Sequence, residues 1–123
     1  MDSWYPQYSS GGQGFMEGDF RKKIDDTFKR IELPFDAVDP DIAECEMSMG
    51  SMTITLSDGS RCILSTQPSV NQLWLALAAK GTAYHFNYDS VQKAWMDDKG
   101  RGVELVSFLE TYLKEATGLE FKF

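Results

Sequence analysis

The sequence predicts an α+β fold, a two-layer sandwich in which two helices pack on one face of a mostly antiparallel sheet of five or six strands. Apolar residues recur at helical spacing near both ends of the chain. The stretch between them contains short segments with period-two alternation, separated by turn signals. Because each helix has a single apolar stripe, both can cover the same face of the sheet, and the other face is left open.

The first helix is predicted from about residue 15 to Glu32. Its apolar residues follow one another at spacings of four, four and three, and they are Phe20, Ile24, Phe28 and Ile31. Such spacings place side chains on one side of a helix. Pro34 lacks a backbone N–H and restricts the residue before it, so we expect the helix to end near Glu32.

Six short segments then carry strand signals. They are residues 44–48, 52–56, 61–66, 71–78 and 82–88 and a short segment around Trp95. Asp58–Gly59 predicts a hairpin turn between the second and third segments, and Lys80–Gly81 marks a hairpin between the fourth and fifth. We therefore expect mostly antiparallel neighbours.

The two cysteines, Cys45 and Cys62, are predicted to be free thiols. If the first three strands form a meander, the middle strand separates the cysteines by two inter-strand spacings, roughly 9.6 Å. That separation is too long for a disulfide. The chain has one histidine, His85, whereas a zinc site built from cysteine and histidine needs about four such ligands. These features are typical of a protein in a reducing compartment.

The second helix is predicted from Gly102 to Thr117. Its residues at helical spacing are Leu105, Val106, Leu109, Leu113 and Ala116. Gly118 is well placed to cap its C-terminus. The alternating residues Leu119, Phe121 and Phe123 are expected to pack between or beside the helices.

The chain has 123 residues and 42% hydrophobic residues, which predicts one small domain over residues 15–123. Residues 1–14 are rich in Ser, Gly and Gln and are predicted to form a flexible tail. No apolar run approaches the roughly 18 residues that cross a bilayer. The first twenty residues contain no Lys or Arg, which argues against a signal or transit peptide. We therefore expect a cytoplasmic protein that does not associate with membranes.

Negative charge is concentrated in one stretch of the chain. The formal net charge is -7, and six acids occur with no Lys or Arg among them: Glu32, Asp36, Asp39, Asp41, Glu44 and Glu46. Such a field repels nucleic-acid phosphates and attracts cations or basic protein surfaces. A nucleic-acid partner is therefore not expected. The alternative is that the run is an ordinary solvated face.

The segment 67–76 predicts an aromatic residue on the open face of the sheet. Leu73, Leu75 and Leu77 share one side of the strand, and Gln72, Trp74 and Ala76 share the other. The three leucines identify the core side. A tryptophan among amides on the other side is typical of a protein-docking surface. The alternative is that a loop or the tail covers Trp74.

No catalytic constellation is predicted. The candidate nucleophiles Ser60, Ser65 and Ser69 have only His85 as a base, and no nucleophile motif surrounds them. The glycine-rich stretch at residues 10–14 has no preceding strand and no following Lys-Ser/Thr. The alternation of the fifth segment places His85 and Asn87 on the face opposite Tyr84, so His85 is interpreted as a sheet-surface residue.

Several motifs together resemble the frataxin family, most closely its bacterial CyaY-type branch. They are the helix–strands–helix order, the acidic run before the first strand, the hairpin MTITLSDGS, the segment QPSVNQLWLA, the sequence Tyr84–Phe86 and the late Trp95. The likeness extends over roughly residues 19–118. It implies a frataxin-like fold and a role in handling iron for iron–sulfur cluster assembly.

The resemblance also implies two sets of site residues. Weakly bound Fe²⁺ or Fe³⁺ would be held by exposed carboxylates, namely Asp36, Asp39, Asp41, Glu44 and Glu46 on the acidic edge and Asp25, Asp26 and Glu32 on the helix. A cysteine desulfurase and an iron–sulfur scaffold protein would be bound through Asn71, Gln72 and Trp74. The expected state without metal is a monomer.

Lys29, Arg30 and Pro34 depart from the family pattern, because family members usually carry more carboxylates at the end of the first helix. This change weakens the expectation of multi-iron binding more than that of docking. A metal-independent protein-interaction adaptor on the same fold is therefore the alternative function. A ferroxidase activity of the bound iron is the third hypothesis.

Overall fold

The structure, a computed structural model, describes residues 17–123. The predicted tail at 1–14 and the predicted helix start near residue 15 lie outside these residues. Helix α1 spans Glu17–Glu32 and so ends at the predicted residue. A short 3-10 helix, Leu33–Ala37, follows directly, with Pro34 in its first turn. Proline suits this position, where its missing N–H has no helical partner to lose.

The six predicted strands form one sheet. They are β1 Ala43–Ser48, β2 Ser51–Leu56, β3 Arg61–Gln67, β4 Gln72–Leu77, β5 Thr82–Asp89 and β6 Ala94–Asp97. The strands lie side by side in chain order, and every neighbouring pair is antiparallel. Helix α2, Leu105–Thr117, completes the element order. The predicted two-layer α+β fold is confirmed.

Both helices pack on the same face of the sheet. The ring of Phe20 on α1 meets Trp95 of β6 edge-on at 6.1 Å between centroids. Phe108 on α2 meets Tyr84 of β5 at 5.0 Å. The indole N–H of Trp95 donates to Thr27 Oγ1 at 2.9 Å, so this buried polar group is satisfied by the first helix.

The hairpin predictions are confirmed. Gly59 has φ +85° between β2 and β3, a backbone conformation that favours glycine because a Cβ would be strained there. A 3-10 turn, Ala78–Lys80, followed by Gly81 with φ +59°, joins β4 to β5. This turn fixes the register that pairs Leu77 with Thr82.

The meander also confirms the prediction for the cysteines. Cys45 on β1 lies opposite Ile54 on β2, and Ile54 lies opposite Cys62 on β3. The middle strand therefore separates the two thiols, and both are free.

The predicted start of α2 at Gly102 is wrong. The helix begins at Leu105, and Glu104 is its N-cap, with carboxylate oxygens that accept the N–H groups of Val106 and Ser107 at 2.8 and 3.0 Å. Glu104 also bridges to Met96, so the residues before the helix are held extended along β6. A side-chain cap, which periodicity does not reveal, sets this boundary.

At the C-terminal end of α2, the predicted glycine cap is confirmed, whereas the predicted stripe of buried residues extends too far. Gly118 has φ +77°, and its N–H donates to the carbonyl oxygen of Lys114 at 2.8 Å. Ala116 is exposed rather than buried with the other predicted stripe residues. The buried stripe of the helix therefore ends at Leu113.

The final residues pack between the helices, as predicted. Phe121 is buried, and its ring lies 5.0 Å from that of Phe35. The Phe123 N–H donates to Glu110 Oε2 at 2.9 Å, and Arg30 Nε–H donates to the Phe123 carbonyl oxygen at 2.6 Å. The segment thus connects α2 to α1.

Candidate functional site

Strand β4 divides its side chains between the two faces as the alternation predicts. Leu73, Leu75 and Leu77 are buried under the helices. Gln72 and Trp74 are half-buried on the opposite face, which neither helix covers. A large aromatic side chain therefore lies on the uncovered face among the described residues. The interpretation in which the tail covers Trp74 concerns residues outside the described range.

Two neighbours hold the indole of Trp74 in one orientation. His85, its partner on β5, stacks on it with ring centroids 4.1 Å apart and an angle of 14° between the planes. The indole N–H donates to Gln72 Oε1 at 2.8 Å. The stack fixes the plane of the ring, and the hydrogen bond fixes its rotation within that plane.

Gln72 connects Trp74 to two further polar side chains. Its Nε2 donates to Asn87 Oδ1 and to Asp98 Oδ2, both at 3.1 Å. Asp98 follows β6, and its backbone N–H donates to the carbonyl oxygen of His85 at 2.8 Å. We call this connected set the indole platform. It consists of Gln72, Trp74, His85, Asn87 and Asp98.

Asn71, the third predicted docking residue, lies just before β4 in a left-handed conformation with φ 54°. Its N–H donates to the Pro68 carbonyl oxygen at 3.2 Å and closes a 3-10 turn, Pro68–Val70. Asparagine tolerates this conformation better than most residues. The geometry explains Asn71 as the residue that leads the chain into the strand, and its docking role remains a prediction.

Asn87 and Asp98 belong to the indole platform but were missing from the predicted docking residues. The alternation of β5 already placed Asn87 beside His85 on this face, and the hairpin register would have aligned it with Gln72. Asp98 comes from the turn between β6 and α2, and its contact with Gln72 spans 26 residues. No local sequence signal predicts that contact.

The turn that carries Asp98 is held from the covered side of the sheet. The buried carboxylate of Asp97 accepts the backbone N–H groups of Lys99 and Arg101, both at 3.2 Å. It also accepts Arg101 Nε–H at 2.9 Å. The hydrogen bonds from Arg101 lower the pKa of Asp97 to about 2. The guanidinium carbon lies 4.6 Å from the centre of the Tyr84 ring.

The predicted metal-binding acids lie on α1, on β1 and in the segment that joins them. Glu44 and Glu46 are exposed on β1, the edge strand, opposite Thr55 and Thr53 of β2. An open groove of about 280 Å³ beside β1 is lined by Glu32, Asp36, Glu44 and Cys45, among other residues. The three acids are the part of the predicted acidic surface that lines a common groove.

The other predicted acids lie apart from that groove or already have partners. Asp39 accepts the N–H of Asp41 at 2.9 Å, so this pair shapes the turn before β1. Asp25 and Asp26 are exposed on α1, and Asp26 forms an ion pair with Lys22 at 3.2 Å. Within residues 17–123, no three His, Cys, Asp or Glu side chains are grouped so that they could hold a metal ion.

Cys45 lies in the negative field of this edge. Burial raises the pKa of its thiol to about 12, and the charges of Glu32 and Glu46 act in the same direction. A thiol with such a pKa is protonated at neutral pH and is a poor nucleophile. Cys45 is therefore part of the packing at the base of the groove.

Comparison with known proteins decides the family. The frataxin-like domain profile matches residues 13–119. The chain belongs to the frataxin-like family. A CyaY protein of Pseudomonas fluorescens strain Pf0-1, named an iron–sulfur cluster assembly protein, is 37% identical over 107 residues, which are 87% of this chain and 94% of the relative. The protein of the same name from Tolumonas auensis is 30% identical over 102 residues, 83% and 92% of the two chains.

Solved frataxin structures share the fold. A frataxin from Psychromonas ingrahamii superposes with a TM-score of 0.77 at 18% identity and covers 88% of this chain and 97% of its own. A trimeric frataxin from the yeast Saccharomyces cerevisiae, described as complexed with ferrous, gives 0.63 at 23% identity, with 87% and 90% covered. The residues of the indole platform and of the acidic edge both lie inside the family match. Neither α1 nor α2 is a candidate for a membrane-spanning helix.

Proposed function

We propose that this frataxin-like protein acts in iron–sulfur cluster assembly by docking on a complex of cysteine desulfurase and scaffold protein through the indole platform. The observation that carries the proposal is the state of Trp74. It is half-buried on the uncovered face, yet a stacked ring and a hydrogen bond hold it in one orientation. The names of the curated relatives support the pathway.

An ordered aromatic side chain on an accessible surface suits binding. Tryptophan is enriched among the residues that dominate binding energy at protein interfaces. Since the indole of Trp74 is already oriented, docking loses less side-chain entropy than it would with a mobile ring. The amides of Gln72 and Asn87 supply the polar groups that surround such an anchor.

We further propose that the acidic edge binds iron weakly, as cargo rather than as a resident cofactor. Carboxylate oxygens are hard ligands for such cations. Glu32, Asp36 and Glu44 face a common open groove, which supports low-affinity binding there. Weak binding is what a donor or sensor of iron requires, since a closed ligand cage would retain the metal. The description of the yeast frataxin as complexed with ferrous is consistent with this idea.

A specific observation favours the alternative, a metal-independent adaptor. Within the described residues no three potential ligands are grouped for a metal, and Asp26 already pairs with Lys22. Lys29 and Arg30 add positive charge at the end of α1. On this alternative the acidic edge attracts a basic protein surface and not iron.

An anaerobic ¹H–¹⁵N NMR titration with Fe(II), followed by the purified desulfurase–scaffold complex, separates the two functions. We expect selective broadening across residues 36–46 with iron, and then loss of signals around residues 71–74 with the complex. The adaptor predicts docking without a saturable iron response. No response to either addition would contradict both functions. Oxygen consumption with Fe(II) above the rate in buffer would support ferroxidase chemistry.

Substitution of Trp74 tests the part of the proposal that concerns docking. We expect Trp74→Ala to weaken binding of the complex about tenfold or more, because it removes the anchor. Its response to Fe(II) should remain. Trp74→Phe is the matched variant, since it keeps an aromatic ring and loses the indole N–H, and it should give an intermediate affinity. Unchanged affinity of Trp74→Ala by calorimetry would exclude the indole platform as the docking site.

A further inference from the structure

The hydrogen bonds of the indole platform run in one direction. They begin at the Trp74 N–H, a group that only donates, and end at the Asp98 carboxylate, a group that only accepts. Gln72 lies between them, with Oε1 toward Trp74 and Nε2 toward Asp98. The amide of a glutamine can turn over, so its direction depends on its neighbours.

We propose that Asp98 is a positioning residue of the docking surface. It holds the amide of Gln72 with Nε2 toward the Asp98 carboxylate and Oε1 toward the indole N–H of Trp74. In this way it orders Trp74 for binding. The docking consequence rests on the proposed function, whereas the ordering of Trp74 is a property of the free protein.

Asn87 cannot supply this direction by itself. Its Oδ1 accepts from Gln72 Nε2 at 3.1 Å, but its own amide can turn and offer a donor to Gln72 instead. If both amides turned over, Asn87 Nδ2 would donate to Gln72 Oε1, and the hydrogen bond between the two side chains would remain. The indole N–H of Trp74 would then face the NH₂ group of Gln72, which cannot accept a hydrogen bond. A carboxylate at Asp98 only accepts hydrogen bonds, and it therefore excludes that alternative.

The backbone holds Asp98 where this role requires it. The N–H of Asp98 donates to the His85 carbonyl oxygen at 2.8 Å, which continues the pairing of β5 beyond β6. The preceding residue, Asp97, is fixed on the covered side by Arg101 and by the N–H of Lys99. The Asp98 carboxylate is therefore tied to a rigid turn.

His85 restrains the same indole through a separate contact. Its ring stacks on Trp74, and its Nδ1 lies 3.8 Å from Asp98 Oδ2. The stack holds the ring plane even when the hydrogen bond of the indole is lost. Loss of Asp98 should therefore free the indole N–H without displacing the ring.

The first experiment observes Trp74 in the free protein. Its indole ¹H–¹⁵N signal is assigned with Trp74→Phe, and the hydrogen-exchange rate of that N–H is measured in Asp98→Ala, Asp98→Asn and wild type. We expect several-fold faster exchange and a shifted signal in Asp98→Ala. Asp98→Asn can still present an oxygen to Gln72, but its amide can also turn over as that of Asn87 can, so its signal should lie between those of Asp98→Ala and wild type. Glu115→Ala, an exposed acid on α2, is the matched control and should leave the signal unchanged.

A double substitution shows whether Asp98 acts through Gln72. If it does, Gln72→Ala with Asp98→Ala should give the same indole signal as Gln72→Ala alone. Additive changes would contradict the inference, as would an unchanged indole signal in Asp98→Ala. Thermal midpoints monitor folding. If Asp98→Ala does not fold, Asp98→Ser replaces it, because serine suits a turn and is too short to reach Gln72.

The second experiment measures affinity for the purified desulfurase–scaffold complex. We expect about tenfold weaker binding for Asp98→Ala and a smaller loss for Asp98→Asn, in the same order as their indole signals. Equal losses in both variants with an unchanged indole signal would mean that Asp98 acts by its charge at the interface, and would overturn the positioning role. If Trp74→Ala itself binds normally, the proposed docking function fails, and the indole measurements still decide the role of Asp98.

Discussion

The two faces of strands β4 and β5 differ in how deeply their side chains are buried. On the covered face, Leu73, Leu75 and Phe86 are fully buried. On the uncovered face, Trp74 and His85 are half-buried. Apolar burial orders the first set, at roughly 1.5–3 kcal/mol for each side chain. A stacked ring pair and directional hydrogen bonds order the second set. One pair of strands thus combines a packed core with an ordered surface that neither helix covers.

The largest expected difference between the faces is in stability. Phe86→Ala on the covered face should lower the free energy of unfolding by about 3–5 kcal/mol, because it leaves a cavity in a packed core. Asn87→Ala, one position along on the uncovered face, should change it by about 0.5 kcal/mol or less. Urea unfolding followed by circular dichroism measures both. Similar losses in the two variants would contradict the division between the faces.

Two indole hydrogen bonds provide a closer comparison. Trp95 on the covered face donates to Thr27 at 2.9 Å, and Trp74 on the uncovered face donates to Gln72 at 2.8 Å. Thr27→Val should cost about 1–3 kcal/mol, because it leaves a buried donor unsatisfied. Gln72→Leu should cost clearly less, since Trp74 is half-buried whereas Trp95 is buried. The same unfolding experiment checks this order, and Thr27→Ser, which keeps the hydroxyl, is the control for Thr27→Val.

The buried carboxylate of Asp97, on the covered face, should make the stability of the fold depend on pH. Because the pKa of Asp97 is lowered to about 2 in the folded protein, its ionised form stabilises the fold above the ordinary value of 3.8, and this contribution is lost as the pH falls through about 2. Asp97→Asn should lower the thermal midpoint at pH 6, and the gap from wild type should narrow toward pH 2. Asn87→Ala, which removes no ionisable group, is the control. If the thermal midpoints of Asp97→Asn and wild type differed by the same amount from pH 6 to pH 2, the lowered pKa of Asp97 would be contradicted.

The smallest expected effect concerns the thiols on the covered side. Burial raises the pKa of Cys62 to about 11 and that of Cys45 to about 12. At pH 8 the thiolate fractions are then on the order of 10⁻³ and 10⁻⁴. A thiol reagent such as DTNB should label neither residue at an appreciable rate in the native protein, and both rapidly in denaturant. Rapid labelling of native Cys45, tested in Cys62→Ser, would mean that the β1 edge opens readily.

Much of the fold could be predicted from the sequence because its signals are local. The stripe from Phe20 to Ile31 predicts α1, and the Asp58–Gly59 and Lys80–Gly81 turns predict the hairpins that set the register. The start of α2 could not be predicted from periodicity, because the side-chain cap at Glu104 determines it.

The candidate site could be predicted only in part. The period of two along β4 places Trp74 and Gln72 on the uncovered face, and the acidic run is visible as composition. Which acids share a concave lining could not be predicted, because α1, its following 3-10 turn and β1 meet there only in the folded chain. The metal-binding roles of these acids remain predictions.

By itself, the sequence determined the order of the elements, the division of each strand into a core side and an outer side, and the likeness to the frataxin family. These properties follow from periodicity, turn chemistry and motif order along the chain. Only the tertiary structure decided that His85 stacks on Trp74 and that Asp98, 26 residues from Gln72, ends the hydrogen-bond chain of the indole. The reason is physical: a hydrogen bond depends on distance and direction between atoms, and strand register and a buried turn set both.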